Sequence, residues 1–120
     1  MKRKFRLKHD VYRDNRGGES ALLVLYCRNC GQKLLLYQKD HPRGYLKRLY
    51  LDRIYAPAAM TRLQHLPINR VPQFKCPQCR HIIALPYIHP KEKRKAYMIE
   101  VASLLKKKSN GTFKLWSTRH

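Results

Sequence analysis

The placement of the cysteines constrains this chain more than any other feature. All four fall in two CxxC pairs, Cys27/Cys30 in "CRNCGQKL" and Cys76/Cys79 in "CPQCRHII", with 45 residues between them. A CxxC turn sets two thiolates on one side of the backbone, and two such turns supply the four donors of a tetrahedral site. Gly31, directly after the first pair, suits the left-handed conformation in which such a turn closes. Pro77 fixes a turn dihedral inside the second pair. Arg80 stands where the first pair has Gly31, which weakens the symmetry between them. The expectation is one structural Zn²⁺ held by Cys27, Cys30, Cys76 and Cys79. Such a site supplies about 10–16 kcal/mol in zinc-finger peptides, comparable with the whole stability of a small domain. Four protein ligands leave no open position for water, which argues for structure and against metal catalysis. His81, two residues after Cys79, borders an apolar run and is not expected to be a ligand.

Charge is the second constraint. The 120 residues hold 27 Lys and Arg against 7 Asp and Glu, a formal net charge of +20. Solubility needs only about 2 to 8 charges of one sign, so an anionic partner is expected. Nucleic acid is the commonest such partner and an anionic membrane surface the second. No run of about 18 apolar residues exists to span a membrane, and no apolar stretch follows the charged N-terminus as in a signal peptide. Paired cysteines in a chain read as cytoplasmic favour metal over disulfides.

The length suits one domain with a modest core, and three parts are expected: a basic N-terminal arm over 1–19, a zinc-binding domain over 20–105 and a basic tail over 106–120. The arms are expected to be disordered until they meet RNA. The apolar runs "ALLVLY" and "KLLLYQ" flank the first cysteine pair like hairpin arms. Residues 45–55 read as a strand after the turn cluster "KDHPRG", and the proline-bearing stretch 56–73 as an irregular connection with one helical turn around 58–63. Residues 90–108 carry helix signals: Pro90 and Glu92 at the start, three lysines at the end, Asn110-Gly111 beyond. Tyr97, Ile99 and Val101 also alternate as in a strand, but a helix is preferred. "TFKLW" suggests a last short strand. The fold class is therefore small α+β or mostly β, with the CxxC turns on β-hairpins and one C-terminal helix or strand.

Basic residues interleave with aromatics in "RGYLKRLYLDRIY". Arg43, Lys47, Arg48 and Arg53 could hold phosphates while Tyr50 stacks on an unpaired base. Lys2, Arg3, Lys4 and Arg6 in the N-terminal arm, Arg28 and Arg80 beside the cysteines, and Lys106, Lys107 and Lys108 complete the expected nucleic-acid-binding set. Arg28, Lys33, Lys75 and Arg80 could also offset the −2 charge of a zinc tetrathiolate. Asp40, His41 and Asp52 are the sole hint of hydrolytic chemistry, and local salt bridges are the expected role of the two aspartates.

On the strength of "CRNCG" and "CPQC" the chain resembles the zinc-ribbon group, over roughly residues 21–38 and 72–86. The wider layout "CRNCG…LLLYQKD…LKRLYLDRI…CPQC" resembles a set of short, uncharacterised bacterial proteins. In size, charge and architecture the chain is similar to small zinc-binding ribosomal proteins. These resemblances imply a structural zinc and binding to RNA, foremost rRNA in a ribosomal or ribosome-associated role, as a monomer within a larger complex. No small-molecule substrate, no membrane and no enzyme activity are expected, since the four-ligand site is closed, no base–nucleophile pair stands out and no apolar run spans a bilayer. The rival expectations are a DNA-binding or polymerase-associated zinc ribbon acting in transcription, and a small nucleic-acid-processing enzyme.

Overall fold

The computed structural model describes Leu7, Lys8, Asp10, Tyr12 and residues 19–40 and 45–109. Eight strands form two four-stranded sheets among these residues. The first sheet has the order β4-β2-β1-β8, from Ile54–Ala56, Lys33–Asp40, Ser20–Cys27 and Leu104–Lys108. The second has the order β3-β7-β6-β5, from Arg48–Tyr50, Arg94–Ile99, Ile82–His89 and Phe74–Lys75. All the strand pairs are antiparallel. Between β4 and β5 the chain makes one short helix, α1 (Ala58–Thr61), and single 3₁₀ turns, in the stretch where prolines preclude longer elements. No helix of the described residues is long and apolar enough to cross a membrane.

The continuous apolar runs of β1 and β2 are explained by burial on both faces. Leu23 and Leu25 meet Tyr37 and Leu35 across the ladder, and these four join Leu49, Phe74, Ile83, Ala84 and Tyr97 of the second sheet in the main core. Leu22, Val24 and Leu36 form a smaller cluster with Ala56, against which Leu7, Tyr26 and Tyr55 pack. A register shift between Leu25 and Tyr26 places both Leu34 and Leu35 in the main core. The expected arm over 1–19 is thus partly docked. Besides Leu7, the Lys8 backbone exchanges two hydrogen bonds with the buried Gln38 amide, of 2.6 and 2.9 Å.

The helix expected over 90–108 is not present: the segment forms β7 and β8. Two left-handed residues, Lys93 at φ 56° and Ala102 at φ 58°, mark the turns on either side of β7. Pro90 and Glu92 belong to the turn joining β6 to β7, where Lys93 donates its N–H to the His89 carbonyl. The alternation won because β7 lies between β3 and β6 and pairs with both, and tertiary pairing overrides local propensity. Lys106, Lys107 and Lys108 accordingly lie in β8, at the edge of the first sheet beside β1, and the expected domain boundary at 105 falls inside that strand. The expected strand "TFKLW" lies outside the described residues.

Candidate metal centre and basic surface

The first CxxC turn joins β1 to β2, and the second joins β5 to β6. Their backbones match bond for bond. In the first, Cys27 donates its N–H to the Gln32 carbonyl at 2.8 Å and Gly31 donates to the Cys27 carbonyl at 2.7 Å. In the second, Cys76 donates to the His81 carbonyl at 2.9 Å and Arg80 to the Cys76 carbonyl at 2.8 Å. Gly31 has φ 82° and Arg80 φ 69°, so both turns close through a left-handed residue. The asymmetry expected at Arg80 is one of strain, since a side chain in this region costs about 1–2 kcal/mol.

The two turns converge. Cys27 Sγ lies 3.7 Å from Cys79 Sγ, and Cys30 Sγ lies 3.6 Å from Cys76 Sγ. All four sulfurs fall within 4.8 Å of one another. A tetrathiolate tetrahedron with metal–sulfur bonds of about 2.3 Å has edges of about 3.8 Å. A disulfide would need sulfurs about 2.05 Å apart. The cluster therefore fits a single metal ion. Cys27 and Cys76 are buried, while Cys30 is exposed and Cys79 half-exposed. Asn29 donates its side-chain N–H to Cys79 Sγ at 3.4 Å, across from one turn to the other. That bond, with the His81 backbone N–H, holds the Cys79 thiol down to about 6, which favours the thiolate that a metal requires. Burial pushes the Cys27 thiol up. His81 contributes its backbone and stands outside the cluster.

The described residues of the expected nucleic-acid-binding set divide into two groups. Arg28, Lys47, Arg80, Lys106, Lys107 and Lys108 are exposed. Arg28 and β8 are neighbours, since the Arg28 N–H bonds the Ser103 carbonyl at 3.0 Å. Arg48, Tyr50 and Arg53 are engaged within the protein. Arg48 is half-buried and its Nε–H bonds the Tyr87 hydroxyl at 3.0 Å. Tyr50 was expected to stack on a base, but it is only 6% exposed: it packs on the Arg94 guanidinium at 3.8 Å and edge-on to His89. Arg53, expected at a phosphate, is 0% exposed. It makes a forked pair with Asp10 at 2.6 and 2.9 Å and a third bond to Asp40 at 2.9 Å. Burial works against its charge, but these carboxylates outweigh burial and leave its pKa raised. In the interleaved segment it is Tyr45, 87% exposed, that faces outward. Lys2, Arg3, Lys4, Arg6, Arg43 and His41 lie outside the described residues.

The two aspartates of the hydrolytic set hold arginines. Asp40 pairs with Arg53, and Asp52 pairs with Arg94 at 2.8 Å. Sequence reasoning missed Arg94 altogether. It is buried between the rings of Tyr12 and Tyr50, at 3.9 and 3.8 Å from their centroids, and no spacing signal in the sequence marks it. Asn29 was also missed, although an amide inside a CxxC turn is a legible donor to sulfur. No known protein family matches the chain, and no curated protein or solved structure does.

Proposed function

We propose that this chain is a zinc-ribbon protein that binds RNA, as a ribosomal protein or a ribosome-associated one, with a structural Zn²⁺ on Cys27, Cys30, Cys76 and Cys79 and no catalytic role. The observation that carries the reading is the separation of charge. Asp10, Asp40, Asp52 and Glu92, four of only seven acidic residues, are engaged with Arg53, Arg94 and His89. Among the described residues, Arg28, Lys47, Lys75, Arg80, Lys107 and Lys108 are exposed to solvent. A surface of this kind suits phosphate contacts made without reading base sequence.

Sedimentation of the native protein through sucrose at low and high salt tests the reading. Co-migration with ribosomal particles at low salt and release at high salt is expected. Co-migration with DNA and RNA polymerase would overturn it in favour of transcription. Changing Lys106, Lys107 and Lys108 together to Gln should lower the slope of log K against log salt by up to about 3 for RNA, with zinc content unchanged. Divalent-metal-dependent RNA cleavage that Asp52→Ala abolishes would overturn the non-catalytic part.

A further inference from the structure

The connection from β4 to β5 leans over the second CxxC turn and leaves a groove of about 460 Å³ between them. Its walls are apolar: Pro57, Met60, Leu63, Pro72, Phe74 and Tyr97. The floor is fixed, because the Tyr97 hydroxyl donates to the Pro72 carbonyl at 2.7 Å and the Phe74 and Tyr97 rings pack at 5.7 Å. Lys33, Lys75 and Arg80 also line it, and no carboxylate is among the described residues that do. Lys75 and Arg80 are exposed. A ligand that fits must therefore offer a flat or apolar body together with negative charge. A hydrocarbon would leave the cations unmatched, and a free phosphate would leave the apolar walls wet.

A nucleotide has both parts. Its base can lie against the proline and methionine surfaces, much as extruded bases are held between aromatic or apolar side chains. The Gln73 amide, also in the lining, can both donate to and accept from a base edge. Its phosphates fall to the cations. A duplex must first unpair and unstack a base, at a cost of a few kcal/mol, before it can enter a groove, whereas a single strand presents one already free. We propose that this groove holds one unstacked nucleotide of a single-stranded RNA, with the base against Pro57, Met60 and Pro72 and the flanking phosphates on Lys33, Lys75 and Arg80. The proposal rests on the RNA-binding reading and gives it a place where single strand is distinguished from duplex. It favours nucleic acid over an acidic peptide because the excess of +20 extends far beyond the groove, as a continuous polyphosphate would require.

The test uses the full chain loaded with zinc, a labelled single-stranded RNA of about 12 nucleotides and a duplex of the same length. Ala59 is exposed on the groove wall, so Ala59→Phe fills the groove without changing charge. Its zinc content and circular dichroism should match the parent. The expected result is affinity for the single strand about tenfold lower at an unchanged salt slope, with duplex binding unaltered. Lys75→Gln with Arg80→Gln should lower the single-strand salt slope by about 1.4. Unchanged single-strand affinity in Ala59→Phe, with the parent still binding RNA in a salt-dependent way, overturns the groove and leaves the RNA reading standing. A parent that ignores both RNAs overturns both. An acidic Glu-Tyr copolymer whose binding Ala59→Phe abolishes, while RNA binding persists, assigns the groove to a peptide and overturns the proposal.

Discussion

The two ends of this double-sheet domain are held in different ways. At one end, four thiols from two turns, one on each sheet, meet within 4.8 Å. At the other, Arg53 is clasped by Asp10 and Asp40, and Arg94 lies between Tyr12 and Tyr50 with Asp52 on its Nη2. The first end is made by local spacing, since each CxxC turn needs only a few consecutive residues to build its donors. The second depends on partners 42 and 43 residues apart that no local pattern announces. A metal gathers four ligands around one ion, whereas a buried guanidinium must find its carboxylates one by one. The thiol end is therefore robust to the sequence around it, and the arginine end is exposed to every substitution in its partners.

Removing a thiol should have the largest effect. Cys27→Ser or Cys76→Ser, or chelation of the parent, should abolish the cooperative thermal transition followed by circular dichroism. A structural zinc on these four thiols would contribute about as much as a small domain's entire stability, so little should remain without it. A chelated chain that keeps the parent's transition would show that the arginine end suffices alone. Next comes Asp40→Asn, which takes from the buried Arg53 its less exposed carboxylate and leaves it the forked pair with Asp10. Urea unfolding should show a loss of about 1–3 kcal/mol with metal content unchanged. Asp10→Asn should lose less, because the Asp10 side chain is 35% exposed and water can replace it. Equal losses from the two would mean that Arg53 relies on the N-terminal segment as much as on β2.

Smaller effects separate the two turns from each other. Arg80→Gly should stabilise the chain by up to about 1 kcal/mol in the same urea experiment, and Gly31→Arg should destabilise it by about 1–2 kcal/mol. Nothing lies within 4 Å of a Cβ at Gly31, so the cost there is backbone strain alone. The smallest effect is expected from Asn29→Ala. Asn29 is the largest of the contacts that lower the Cys79 thiol, ahead of the His81 N–H, so its loss raises that thiol and lets protons compete with a bound metal at higher pH. Acid titration with a colorimetric chelator should place metal release a few tenths of a pH unit higher than in the parent. No shift, or a downward one, would remove Asn29 from the metal site.

What could be read from the sequence follows the same division. The cysteine cluster, β1 and β2 and the turn of helix at 58–61 were legible because each is written in adjacent residues. Lys106 to Lys108 read as a helix end and tail because lysines favour both, while the partner that makes them a strand, β1, lies some 80 residues earlier. Tyr50 and Arg53 read as ligands for RNA because residue type cannot report burial. Their partners, Arg94 and His89 for the one and Asp10 and Asp40 for the other, become neighbours only when the sheets assemble. The docking of Leu7, Lys8, Asp10 and Tyr12 was hidden beneath the basic composition of the arm.

Because Cys27 and Cys30 border the first sheet while Cys76 and Cys79 border the second, a metal held by the four thiols would span the seam between the layers. An ion there doubles as a gauge. Cobalt in place of zinc would take its colour from the sulfur tetrahedron, and that colour depends on the two layers staying in register. Its bleaching during unfolding would time the parting of the sheets, independently of the strand signal that each sheet carries alone. Loaded with cobalt, the chain would carry a clock for one event, the opening of its own seam.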